Sequence, residues 1–217
     1  MMTLLLIVYG LVSIRSDDSP SAKGPKQPEL AKELAAMVKA DQDARFKMIK
    51  LMNEAKGDAG SAAKRQADAP EFKAVFEIDQ RNRARMKEIV KEHGWPSFTL
   101  VGKEGAFNAW LLVQHSDEDK PFQKECLELM RVAAAKGEAS KRELAYLVDR
   151  VLVGEGKKQL YGTQTELKDG KAVPKPVEDP ENLDKRRAEA GMPTMKEYLK
   201  QVEAMYVPKP AAEKTDK

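Results

Sequence analysis

The chain has little of what most often marks a function. Of its 217 residues one is cysteine and two are histidine. A lone thiol, Cys126, excludes an intrachain disulfide and offers no spacing for a zinc site. It falls in step with Phe122, Leu129, Met130 and Ala133 at helical spacing, which reads as a small core residue rather than a nucleophile. No sign of charge prevails: 38 basic residues face 35 acidic ones, and both are interspersed along the chain. That pattern gives no electrostatic footprint for nucleic acid, so no nucleic-acid partner is expected. No serine sits in a nucleophile-elbow context, which argues against a standard serine hydrolase. There is no internal repeat.

The one long apolar run is at the start. Met1 to Ile14 is almost wholly apolar, and Arg15, Asp17, Asp18 and a Ser/Pro/Gly/Lys stretch follow it. It is short for a bilayer span but fits the apolar region of an export signal. Residues 1–27 are therefore expected to be a signal-like segment and linker, which places the protein outside the cytoplasm or in the cell envelope. Contact with a membrane would come only through this segment, if it stays uncleaved. An apolar first helix packed on the domain is the alternative.

Between Pro28 and Val207 the periodicity predicts a mainly α fold, a single helical domain of about six to seven helices with one small β-hairpin. A Lys/Pro/Ala-rich tail over 208–217 is expected to be disordered. The first helix runs from Pro28 to about Glu54. A second opens at an Asp68–Glu71 capping box and stops at Gly94, with Phe72, Val75 and Phe76 on its apolar face. Ser97 to Val101 alternates and reads as an extended connection, followed by a helix from about Glu104 to Gln114. Helices from about Lys120 to Lys136 and from Ser140 to about Val153 follow. Asp169-Gly170 between two apolar-polar runs predicts the hairpin. Asp179-Pro180 and a Thr194–Glu197 box open the last two helices.

What the chain does have is polar residues in line with apolar faces. Asp41 and Arg45 interrupt the stripe of the first helix, and Asp79 and Asn82 that of the second. Gln114 and His115 close the third helix, beside Trp110 and Leu111, and Asp149 and Arg150 ride with Ala145, Tyr146 and Leu152. A buried ionised group must be paired or have its pKa moved. Converging from several helices, these residues would build either a polar pocket or a buried ion-pair network. Asp41 and Arg45 can also simply pair at i,i+4, and Asp149 and Arg150 can anchor nearby backbone.

His115 is the sharpest of them. His93, in the last turn before Gly94, suits a helix C-terminus. His115 could act as a general base oriented by Asp117, Asp79 or Asp41, or it could be a core histidine hydrogen-bonded at a helix end. The expected catalytic set is His115, Asp117 and Asp149. The run Gln159-Leu160-Tyr161-Gly162-Thr163-Gln164 adds uncharged hydrogen-bonding groups around a glycine. With Asp41, Asp79, Gln114 and Arg150, its Tyr161, Thr163 and Gln164 are the expected ligand-binding set, suited to a small polar ligand or an envelope component such as a peptide or sugar. Equally, they could be a hairpin edge tied to the helices beneath. No cofactor and no metal is expected, because a His-x-Asp pair does not put both groups on one helix face.

Several runs taken together carry a resemblance. They are Gly94-Trp95-Pro96, the stretch Trp110 to Asp117 (WLLVQHSD), Ala145 to Arg150 (AYLVDR) and Gln159 to Gln164 (QLYGTQ). With Glu178-Asp179-Pro180 and Asp184-x-Arg186-Arg187, they resemble a bacterial family catalogued as a domain of unknown function (sixty-six twenty-four). The resemblance covers roughly Asp41 to Tyr198. It implies a bacterial origin and brings no reaction with it.

Overall fold

The computed structural model describes residues 24–54, 69–168 and 170–206. The signal-like segment, Asp68 of the expected capping box, Asp169 of the hairpin turn and the C-terminal tail lie outside them. The described residues are mainly α, with seven α-helices and one two-stranded sheet. They fall into two compact units, 24–144 and 145–206, which divide within the fifth helix.

In the first unit, α1 (Pro28–Glu54) packs on α2 (Pro70–His93) and on α3 (Phe98–Gln114), and α4 (Lys120–Ala135) packs on α3. The stripe of α1 that faces this core holds Leu30, Leu34, Ala44 and Met48, and Asp41 is buried in line with them. On α2, Val75, Met86, Ile89 and Val90 are buried together with Asn82. Phe76 departs from the expected face and is exposed, as is Phe46 on α1. The residue before Pro70 is Ala69, whose side chain makes no cap, and proline's fixed φ suits the first turn of α2.

From Phe98 to Val101 the chain is helical rather than extended, and only Ser97, the cap, keeps extended backbone. Ser97 accepts a hydrogen bond from the Leu100 N–H through its hydroxyl, and Glu138 receives both the Thr99 N–H and its hydroxyl. The alternation was misleading because this is one helical turn, broken from the rest of α3 by Gly102 at φ 76° and ψ 171°. From Asn108 to Gln114 every residue of α3 is buried, so its polar end is carried into the core. Asp119 caps α4 by accepting from Phe122 N–H, and Cys126 is a buried core thiol whose pKa burial pushes up.

The fifth helix, α5 (Lys141–Gly154), opens where Ser140 accepts the Glu143 N–H. The second unit continues with β1 (Thr165–Lys168) and β2 (Lys171–Pro174), antiparallel with Thr165 opposite Pro174. A 3-10 turn, Pro180–Asn182, leads into α6 (Leu183–Glu189), and α7 (Met195–Tyr206) packs against β2 and α6. The Thr194–Glu197 box forms reciprocally, as its spacing predicts. Asp179 makes no side-chain cap. It sits in left-handed backbone and receives the Asn182 amide and an Arg186 N–H.

Candidate functional site

Each unit carries its own polar cluster, and the two are built differently. In the first unit, helical spacing on α1 puts Asp41 one turn before Arg45, and α2 and α3 bring Asp79 and His115 to them. His115 Nδ1 lies 3.0 Å from Asp41 Oδ1, the same oxygen that accepts from Arg45 Nε at 3.0 Å. Gln42 donates to the other Asp41 oxygen at 2.6 Å. The Arg45 guanidinium also donates to Asp79 through Nη2. The cluster runs outward from buried to part-exposed: the side chains of Asp41 and His115 are 1% and 5% accessible, those of Arg45 and Asp79 13% and 20%.

The two carboxyls are pushed apart in acidity. Burial alone would raise Asp41, but the His115 hydrogen bond, the electrostatic pull of His115 and Arg45, and the Gln42 amide together hold it at about 2. Asp79 goes the other way, to about 7. Burial leads, the charge of Arg45 opposes it, and the neighbouring Asp41 adds to the rise. Because Asp41 stays ionised, it can only accept, so the shared hydrogen belongs to His115 Nδ1. One ligand atom each from Asp41, Asp79 and His115 falls within a 4.8 Å group that could hold a metal ion. The Arg45 guanidinium already donates to one oxygen of each of the two carboxyl groups.

In the second unit, Asp149 of α5 is fully engaged by backbone. One oxygen accepts from the N–H groups of Leu160 and Tyr161, at 2.7 and 3.0 Å. The other accepts from the Thr163 N–H and hydroxyl, both at 2.9 Å. Burial raises the Asp149 pKa, and these donors act against the rise. The carbonyls of the same loop are held from the other side. Arg186 donates to Leu160 O, Arg187 to Tyr161 O and Tyr198 to Thr163 O. Gln159 closes the loop on Gln164, accepting its N–H and donating to its carbonyl. Gly162 turns within the loop at φ +70°, and a Cβ there would meet Met195 Sδ at 2.8 Å.

Of the expected site residues, Asp41, Asp79 and His115 come together in the first unit. Asp149, Tyr161, Thr163 and Gln164 come together in the second, the tyrosine through its backbone. Gln114 is wholly buried at the end of α3, and Arg150 is buried on α5. Asp117 is exposed and accepts from Gln123 Nε2 at 3.1 Å, while Asp41 takes the imidazole. Three contributors escaped the sequence reading. Gln42 stands beside Asp41 off the apolar stripe, and nothing marks it. Gln123, which also donates to Val113 O, lies three residues before Cys126 on the buried face of α4, and that position was legible. Arg187, wholly buried, holds Tyr161 O and Pro193 O beneath the Tyr198 ring. Its role depends on chain geometry that no spacing reveals.

The model of a family of unknown function (DUF6624) matches residues 28–210, and the chain belongs to that family. No curated protein and no solved structure matches it.

Proposed function

From membership of a family of unknown function, we propose that the first unit carries an acid–base site that hydrolyses a small polar ligand such as an envelope peptide or sugar. The observation that carries the reading is the Asp41–His115 hydrogen bond, 3.0 Å between side chains that are almost wholly buried. Asp41 orients the imidazole and stabilises its protonated form. His115 Nε2 takes a proton from water as the oxygen adds to the substrate. Asp79, raised to about 7 and so protonated in part at neutral pH, gives its proton to the leaving group as the leaving group's bond to the substrate breaks. Proton return from His115 to Asp79 restores the starting state. Two carboxyls driven apart by their surroundings are the arrangement such a division of labour needs.

The test is turnover by the full chain on chromogenic peptide and glycoside panels, with and without a chelator. The reading expects hydrolysis that survives chelation and falls by about a hundredfold or more in His115→Ala and Asp79→Asn. Hydrolysis indifferent to both substitutions, or no turnover at all, would overturn it.

A second reading, a non-catalytic interaction or scaffold module, has its support in the Asp149 network, whose polar atoms are spent on holding a loop. Export is proposed from the run Leu4 to Val12, and is tested by fractionating cells that express the full chain. Among the described residues, no helix is long and apolar enough to cross a membrane.

A further inference from the structure

Three helices of the first unit bring donors for a cation to one place. Asp41 of α1, Asp79 of α2 and His115 at the end of α3 each offer one ligand atom, all within 4.8 Å of one another. No spacing within a single helix announces such a set. His115 Nδ1 and Asp41 Oδ1 stand 3.0 Å apart. Two donors held by one ion at about 2.1 Å and near a right angle are themselves about 3.0 Å apart, so this edge already has the length that coordination needs. Asp41 is also held from its other side, where Gln42 donates to the second oxygen at 2.6 Å. Carboxylates that bind metal ions are oriented by neighbouring donors in the same way. The outer end of the cluster reaches water at Asp79 and Arg45, whose side chains are 20% and 13% accessible. A positive charge already stands among these donors, because the Arg45 guanidinium donates to Asp41 Oδ1 and to Asp79 Oδ1. It is carried on a long, flexible side chain at the open end, which leaves it free to turn outward.

We propose that this cluster binds a divalent transition ion of the zinc or cobalt type, and that Arg45 competes with the ion for its place. The ligands are one carboxyl oxygen each of Asp41 and Asp79 and Nδ1 of His115. One imidazole with two carboxylates suits such ions better than calcium or magnesium, which take oxygen donors. The ion takes the place of the hydrogen on His115 Nδ1, which leaves to water, and the guanidinium turns toward solvent. The inference goes beyond the hydrolytic reading and gives the same atoms a second state. With the ion in place, the two carboxyls and the imidazole are occupied, so the filled chain should not hydrolyse by the acid–base route.

The experiment titrates the chelator-treated full chain with cobalt(II), read by visible absorption, and then adds zinc. The expected result is a saturable set of cobalt bands that zinc bleaches, because zinc binds such donors more tightly. Affinity should weaken about tenfold or more in His115→Ala and in Asp79→Asn, and stay at the parent value in His93→Ala, which removes the other imidazole. Arg45→Leu should bind about tenfold more tightly than the parent, a gain that loss of folding cannot produce. Absence of saturable bands, bands unchanged in His115→Ala, bands lost in His93→Ala, or no gain in Arg45→Leu would each overturn the inference. Cobalt binding as expected without turnover of any substrate would leave the inference standing and remove the hydrolytic reading, as would turnover that continues with the site filled. Turnover lost in His115→Ala and Asp79→Asn, with no cobalt bands in the parent, would do the reverse.

Discussion

Asp41 holds His115 across 74 positions of sequence, Oδ1 to Nδ1 at 3.0 Å, where both side chains are almost wholly buried. The carboxylate has further donors in Arg45 and Gln42, so it does not depend on the imidazole to satisfy its oxygens. The imidazole is tied to the carboxylate through its Nδ1. Replacing Asp41 by Asn should therefore release the ring's tautomer. Nitrogen chemical shifts of His115 should report a proton fixed on Nδ1 in the parent and a mixture in Asp41→Asn. Hydrolysis should fall by about a hundredfold or more.

Asp79 predicts a pH dependence of stability. Its folded pKa of about 7 lies above the ordinary 3.8, so the folded chain keeps a proton that the unfolded chain releases. Stability should be highest near pH 4, fall as pH rises toward 7, and level off above it. Glu143, raised by burial to about 7 from 4.5, adds to the same slope. Asp41 acts only at the acid end, where its contribution is lost as pH drops from about 4 through 2. Denaturant unfolding between about pH 5 and pH 8 should show a decline of order 1–3 kcal/mol, smaller in Asp79→Asn and never absent while Glu143 remains.

Asp149 predicts the opposite kind of behaviour. Its two oxygens hold the backbone of Leu160, Tyr161 and Thr163, and truncation would leave those N–H groups buried and unpaired. Asp149→Ala should cost about 3 kcal/mol or more in denaturant unfolding. Amide exchange should rise first over residues 159–164.

Gly162 is held by two constraints that can be separated. Its φ of +70° disfavours any side chain, and a Cβ would press on Met195 Sδ. Gly162→Ala should lose about 1–3 kcal/mol. Adding Met195→Ala would relieve the contact but not the backbone strain, so melting temperature should recover only in part.

The sequence made the helices legible because most of them bury one periodic stripe and end on glycine. It also made Asp41, Asp79 and His115 legible, as polar residues on apolar faces. Ser97 to Val101 was misread because one capped turn ended by Gly102 has too few residues for its period to show. Phe76 was misplaced because periodicity identifies an apolar residue near a face without saying whether a neighbour covers it. Asp149 was expected among catalytic groups because its position on a buried face looks the same whether its partners are ligand or backbone. The donors that occupy it come from residues 160–163, and a one-dimensional pattern does not tell which way their N–H groups point.

On the proposed reading the two polar clusters do different work, the first serving a ligand and the second holding a loop. The most direct measurement is the unfolding free energy of His115→Ala beside that of Asp149→Ala, in the full chain at neutral pH. His115→Ala should stay within about 1 kcal/mol of the parent while Asp149→Ala loses about 3. A loss of more than about 2 kcal/mol in His115→Ala would contradict it and make the Asp41–His115 pair an internal fastener as well.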